Sequence, residues 1–259
     1  VSAPGSDGVV TLWYTFFDAV ADPGLLDRYR ELLDAGERQR ERGFHFERDR
    51  VRHVIAHCLL RAALSREAGG TVAPERWQFT AGRFGKPHLS GADAPALSFN
   101  LTHADGLAAV AVVRGGAIGV DAERISGNQA AAADAVGLFA PHEAADVEAC
   151  PPGDRAARFL EYWTLKEAQV KAVGGGLALP FDRPAFRFPT ERSIELCAGE
   201  DPGGNGAAWK FWQLRIRDDF LVAICVERTG PRSPRLQLRE LVPLVSETPV
   251  PWLPLRESA

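Results

Sequence analysis

The sequence predicts an α+β fold built mainly on antiparallel strands, and three features carry that reading. Segments rich in β-branched and aromatic residues, among them "VVTLWYTFF", "ALSFNLT", "LAAVAVV", "AIGVDAE", "AWKFWQLRIRD" and "FLVAICVE", recur at strand length. Two junctions, Arg114-Gly115-Gly116 and Asp218-Asp219, have hairpin spacing, which pairs neighbouring strands antiparallel. Two longer stretches, residues 46–70 and 154–173, carry apolar residues at helical spacing. Helices and strands that alternate without a strict βαβ rhythm define the class.

The elements follow in order. "VVTLWYTFF" is the first strand. "DPGLLDRYRELLDAG" is a helix, with Asp22 and Pro23 placed for its start and Gly36 for its stop. In "FERDRVRHVIAHCLLRAALSREAGG", Val51, Ile55, Leu59 and Ala62 form an apolar stripe, and Gly69 and Gly70 end the helix. "RWQFTA" opens the run of strands, which extends through "AIGVDAE". The small-residue stretch 126–154 predicts one or two helices, and a further helix starts near Asp154 and runs out into Gly174, Gly175 and Gly176. "AFRF", "SIELC" and the hairpin around Asp218 and Asp219 return to strand. From Thr229 onward, Pro231, Pro234, Pro243, Pro249, Pro251 and Pro254 predict an extended wrap or a loose terminus. Helix plus strands occurs on both sides of Gly115, without a repeat of fixed period.

Composition excludes several classes. Formal net charge is -4 with 25% charged residues, so no overall basic field points to duplex nucleic acid. Cys58, Cys150, Cys197 and Cys225 lack paired spacing, which fits reduced thiols and neither a disulfide frame nor a zinc ribbon. The apolar N-terminal segment is bracketed by Asp7 and Asp18 and lacks a basic flank, which favours a strand over a signal peptide. With no apolar run of membrane-spanning length, the expectation is a soluble, cytoplasmic protein.

Chemistry concentrates in a few motifs. In "GVDAE", Asp121 and Glu123 lie two apart on a strand and project to one side, where two carboxylates repel unless a cation separates them. A lone D-x-E is ordinarily an exposed strand face; a third acid in matching context changes that, and Glu167 is the candidate. Three hard oxygen donors without a thiolate or imidazole pair favour Mg2+ over zinc. Thr164, Glu167 and Lys171 recur at i, i+3 and i+7 and share a helix stripe bordered by Leu160 and Trp163. Lys171 is either a surface partner of Glu167 or a cation held for an anionic substrate. Gly85-Lys86-Pro87 presents an ammonium from a tight turn, and Thr102 and His103 end a strand. Arg40, Arg42, Arg48, Arg50 and Arg52 form either a phosphate clamp or a solvated face offset by Glu37, Glu41, Glu47 and Asp49. Asp49, His53 and His57 make a helical metal stripe that no other cluster completes, and "HEAAD" lacks the second histidine of a zincin. "GGAIG" is not a dinucleotide fingerprint, and no Walker sequence occurs.

Taken in order, "FGKPHL", "FNLTHADGLAAVAV", "IGVDAE" and "FLEYWTLKEAQVKAVGGGL" resemble the 4'-phosphopantetheinyl transferases of the surfactin-synthetase-activating (Sfp) type. The resemblance covers residues 34 to 180. It implies two similar α/β lobes in a pseudo-twofold arrangement: residues 1–118 on the coenzyme A 3'-phosphate side, and residues 119–259 carrying the metal and the catalytic helix, with the proline-rich tail from about 229. By position it implies Asp121, Glu123 and Glu167 as magnesium ligands and Lys171 as the active-site lysine. Lys86, Thr102 and His103 match residues that hold coenzyme A phosphates, and Arg40, Arg52 and His53 fall at the 3'-phosphate end. Thr102 stands where serine is commoner, His53 where a small hydroxylated residue often occurs, and Glu37 where some members place a second basic residue.

The implied reaction moves phosphopantetheine from coenzyme A to a serine of an acyl or peptidyl carrier protein, as a holo-[acyl-carrier-protein] synthase does for fatty acid, polyketide or nonribosomal peptide synthesis, the last two belonging to secondary metabolism. Positioning and charge supply most of such a rate. Glu167 is the implied base for the serine proton, with His103 and a metal-bound water as competitors. A monomer suffices, without nucleic acid or membrane as partner. The alternatives are an Mg-dependent hydrolase of coenzyme A or another pyrophosphate, and a non-catalytic module that binds coenzyme A or carrier proteins.

Overall fold

Strand β1 (Val9–Phe16) sits at the centre of the first of two main sheets, because its residues are buried on both sides. The computed structural model describes residues 8–82, 85–91, 95–126, 136–175, 182–197 and 209–259. With β4 (Leu97–Ala104), β5 (Leu107–Arg114), β11 (Arg235–Val242) and β12 (Ser246–Val250), β1 forms a sheet in the order β12-β11-β1-β5-β4. The second sheet runs β6-β10-β9-β13-β8-β7, from β6 (Ile118–Arg124), β10 (Phe220–Glu227), β9 (Trp209–Ile216), β13 (Arg256–Ser258), β8 (Ser193–Leu196) and β7 (Phe186–Arg187). A small hairpin pairs β2 (Phe79–Ala81) with β3 (Pro87–Leu89). Pairing is antiparallel, as predicted, except for β1 with β11 and β13 with β8.

Alternation along the strands makes the sheets two-faced, so each buries both faces. Val10, Leu12 and Tyr14 of β1 share one apolar core with Val120 and Ala122 of β6 and with Leu214 and Val222 of the second sheet. The opposite face, with Trp13, Val110 and Val112, packs on Leu59, Ala63 and Leu64 of helix α3 (Glu47–Glu67). Across the molecule, Leu221, Ala223 and Cys225 pack on Leu165, Ala168 and Ala172 of helix α5 (Arg155–Val173). The layers therefore run helix, sheet, sheet, helix. Helix α4 (Pro141–Ala149) sits beside α5, and Phe139, just before α4, stacks on Phe159 at 4.9 Å.

Three expectations are corrected. Gly36 does not stop the first helix: α1 (Pro23–Leu32) ends earlier, and Asp34 opens helix α2 (Ala35–Gly43). Asp34 accepts from Glu37 N while Glu37 accepts from Asp34 N, at 2.8 and 2.9 Å, a reciprocal cap that outweighs the glycine. The Arg114-Gly115-Gly116 junction is no hairpin: β6 pairs with β10, so the junction carries the chain from one sheet to the other. The hairpin in this region joins β4 to β5 around Asp105 and Gly106, where Gly106 has φ 110. Finally, of the two readings of the proline-rich segment the loose terminus is overturned and the extended one holds: β11 and β12 return to the first sheet, with Pro249 on edge strand β12, where a missing N–H costs no ladder bond. The hairpin at Asp218 and Asp219 is present, with Arg217 and Asp218 at φ 46 and 54. Gly176 and residues 127–135 of the small-residue stretch lie outside the described residues.

Candidate active site

The edge strands β4 and β6 of the two sheets lie against each other, and a side chain joins them: Asn100 Oδ1 accepts from Val120 N at 2.9 Å. That bond fixes the strand one residue before Asp121. On β6, Val120 and Ala122 point into the core between the sheets, so Gly119, Asp121 and Glu123 face α5. Gly119 lets helix and strand meet backbone to backbone. A Cβ there would lie 1.9 Å from Ala168 O and 2.5 Å from Ala172 N, so no other residue fits.

Trp163, Glu167 and Lys171 stay partly open at i, i+4 and i+8 of α5, flanked by buried neighbours, and they line a cleft of ≈ 560 Å³. Thr164, expected on this stripe, is fully buried against the sheet: it donates to Leu160 O at 2.8 Å and accepts from Gln213 Nε2 at 3.1 Å. Asp121, Glu123, Thr102 and His103 line the same cleft. Lys171 Nζ lies 2.5 Å from Asp121 Oδ1 and 3.3 Å from Thr102 Oγ1, and the Thr102 hydroxyl donates to Asp121 at 3.3 Å. Thus both sheets and α5 meet at one carboxylate.

The other wall comes from α3, whose Asp49, Arg52, His53 and His57 line the cleft. Arg52 pairs with Asp105 and, at 3.6 Å, with Asp49. The His53 and His57 rings lie 4.2 Å apart, tilted, and both lean on Glu37, His53 at its carbonyl (3.0 Å) and His57 at its carboxylate (2.9 Å). His53 and His57 of the Asp49-His53-His57 stripe are therefore committed to packing α2 on α3, while Asp49 pairs within α3 with Arg52. Fully buried Arg61 completes that anchor, bonding Glu37 Oε2 at 2.8 Å and Asp34 Oδ2 at 2.9 Å. Burial opposes ionisation of Glu37, but the His57 hydrogen bond and charge, then Arg61, hold its carboxyl down to about 2. Glu37 is thus a structural carboxylate that ties α2 to α3.

Two predicted residues stand apart from the cleft lining. Arg40 is exposed on α2, close enough to help lower the pKa of His53. Lys86 lines a neighbouring cavity, and its ammonium donates to Ile118 O, Lys171 O and Ala172 O at 2.8, 2.6 and 3.1 Å. Burial pushes it down to about 8. Lys166 of the W-x-x-K-E motif carries a role the motif alone did not disclose. Fully buried, it pairs at 2.7 Å with equally buried Glu143 of α4 and donates to Pro184 O. Glu143 also accepts from Ala140 N and Phe186 N, so one ion pair locks α5 to α4 and β7.

Electrostatics define what the cleft accepts. Burial first, then the Asp121 carboxylate, pushes Glu167 above the ordinary carboxylate range, against the pull of Lys171. Burial, with Arg52 and Lys171, pushes His103 below the usual imidazole range, and burial with His57 does the same to His53. Asp49, Asp121, Glu123 and Glu167 therefore outnumber the permanent cations Arg52 and Lys171. A polyphosphate is repelled from such a lining unless a multivalent cation enters with it. The donor chemistry suits a hard cation, and Asp121 Oδ2 is buried without a hydrogen-bond partner. Among the described residues, no three His, Cys, Asp or Glu side chains converge to metal-holding distance as they stand. The Lys171 ammonium, seated on Asp121 Oδ1, supplies the compensating charge there.

A helix–sheet–sheet–helix sandwich whose acidic cleft opens at the seam between sheets defines the class, and the chain belongs to the 4'-phosphopantetheinyl transferase superfamily. The sequence model of that superfamily matches residues 117–225, the stretch holding β6 and α5. Among individual relatives, the chain is 30% identical over 199 residues to the 4'-phosphopantetheinyl transferase HetI of a Nostoc species, covering 76% of this chain and 80% of that one. A 4'-phosphopantetheinyl transferase of Bacillus subtilis is 29% identical over 74% of this chain and 83% of its own. Sfp of Bacillus subtilis is 26% identical over 68% and 76%. These relatives carry transferase names and lend no support to a hydrolase or a binding-only module. Among the described residues, no helix is long and apolar enough to cross a membrane. Cys58, Cys150, Cys197 and Cys225 are not joined in disulfides, as their spacing predicted.

Proposed function

We propose that this protein transfers the 4'-phosphopantetheine group of coenzyme A to a serine of an acyl or peptidyl carrier protein, releasing 3',5'-ADP. The observation that carries the reading is the convergence of Asp121, Thr102 and Lys171 where both sheets and α5 meet, in a cleft with excess negative charge. Asp121, Glu123 and Glu167 are the residues that would hold Mg2+, which supplies the positive charge that the pyrophosphate of coenzyme A needs there. Lys171 offers its ammonium to phosphate oxygens of the departing nucleotide. Thr102 and Asp121 fix that ammonium in the resting cleft, so little orientation is left to acquire. Arg52 from the α3 wall and His103 from the end of β4 face the anionic cofactor, and exposed Arg40 extends the α3 side toward the 3'-phosphate. His53, buried and neutral, backs Arg52. Glu167, made more basic by burial and by Asp121, takes the serine proton.

We assign the finer activity as holo-[acyl-carrier-protein] synthase, acting in the cytoplasm as a monomer on carriers of fatty acid, polyketide or nonribosomal peptide synthesis. The lobes divide near residue 118, with β11 and β12 joining the first lobe. The test incubates the protein with Mg2+, coenzyme A and a panel of apo-carriers, followed by intact mass. One phosphopantetheine added at the carrier serine supports the reading, and Glu167→Ala abolishes the gain. Coenzyme A consumed with every carrier unmodified sinks it.

A further inference from the structure

Lys86 reaches from the turn before β3 to the far side of the β6–α5 junction, away from the cleft. Its three acceptors belong to two elements: Ile118 O begins β6, while Lys171 O and Ala172 O close α5. The last carbonyls of a helix lack intrahelical donors, and a cation suits that negative end. One ammonium therefore ties the strand bearing Asp121 to the helix bearing Glu167 and Lys171. It does so beside Gly119, where the two backbones already touch. With these carbonyls within 3.1 Å, the Lys86 ammonium is engaged in the protein and not held out toward a ligand. The lysine comes from the β2–β3 hairpin, outside both main sheets, so the hairpin is fastened to the catalytic junction by this side chain.

We propose that Lys86 is a positioning residue that sets the register of α5 against β6, holding Lys171 and Glu167 at Asp121, and is not a phosphate ligand. The inference rests on the transferase reading of the cleft for its kinetic consequence, but not for its structural one. Lys86→Met keeps the aliphatic stem and removes the three donors. In the full-length chain without ligands, hydrogen exchange of the peptide spanning residues 165–175 rises, and exchange in β1 and α3 stays unchanged. In the carrier assay kcat falls about 10- to 100-fold, as expected for a displacement near 1 Å, while the Kd for coenzyme A stays within about twofold. Lys86→Gln, whose amide retains two donors, gives a smaller change in each readout. Unchanged exchange at residues 165–175 overturns the assignment. So does a Kd for coenzyme A weakened tenfold or more with exchange unchanged, which marks a phosphate ligand. If neither variant folds, the contact is global and the local assignment fails. If the wild type transfers nothing to any carrier, the exchange comparison still decides the role of Lys86, and only the transferase reading falls.

Discussion

Replacing Gly119 by alanine tests how the site is built, because one methyl group has nowhere to go. The added Cβ would stand 1.9 Å from Ala168 O and 2.5 Å from Ala172 N, both backbone atoms that no rotamer change can move. Comfortable contact needs about 3.5 Å, so α5 must withdraw by roughly 1.5 Å. Such overpacking costs about 3 kcal/mol, which for a chain of this size lowers Tm by roughly 6 to 12 °C. The same retreat carries Lys171 and Glu167 away from Asp121, stretching the 2.5 Å ion pair toward the limit of direct contact. A misplacement of about 1 Å at reacting groups costs on the order of 100-fold. The assay measures Tm, then carrier modification at saturating coenzyme A well below the Tm of both proteins. The expected result is a lower Tm together with a loss of about 100-fold in kcat. An alanine variant with unaltered Tm and activity within twofold of wild type would refute the backbone-to-backbone account.

Other perturbations have outcomes of their own. Glu37 titrates near 2 in the fold against 4.5 when free, so it contributes roughly 3 kcal/mol that is complete above pH 4.5 and lost as pH falls toward 2. Glu37→Gln therefore lowers stability at neutral pH and flattens the acid limb of a denaturant-midpoint profile between those values; an unchanged limb contradicts the assignment. Lys166→Met strands Glu143 in the core and costs about 3 to 5 kcal/mol in chemical denaturation, while adding Glu143→Gln recovers part of the loss. A double variant worse than the single one contradicts pairing. Asp105→Asn frees Arg52 from its nearest carboxylate and lowers KM for coenzyme A by about two- to threefold with kcat unchanged, and a raised KM contradicts competition at Arg52.

Positions that follow from local periodicity were legible in the sequence; those that depend on a distant partner were not. The two-residue period of a strand places Asp121 and Glu123 on one face, and the structure keeps them there. Helical period alone could not decide which neighbour of Glu167 opens to the cleft, since Thr164 and Trp163 are adjacent; the packing of β9 settles it by occupying Thr164 with Gln213. A glycine inside a β-branched strand signals close backbone approach, so Gly119 was detectable, but the helix it meets lies some fifty residues later. Lys86 and Lys166 illustrate the limit. In the sequence each is a lysine in a motif, and only the fold reveals carbonyls and a carboxylate waiting for them. The return of residues 235–250 to the first sheet was equally hidden, because proline content speaks of local conformation and not of partner strands.

The central claim is that an acidic cleft at the seam accepts the pyrophosphate of coenzyme A only together with a divalent cation. Calorimetry of coenzyme A binding, with Mg2+ and then with EDTA, on wild type and on Asp121→Asn, measures it directly. The account predicts that Mg2+ tightens binding to the wild type tenfold or more and leaves the variant nearly unmoved. Binding to the wild type that is equally tight in EDTA would contradict it.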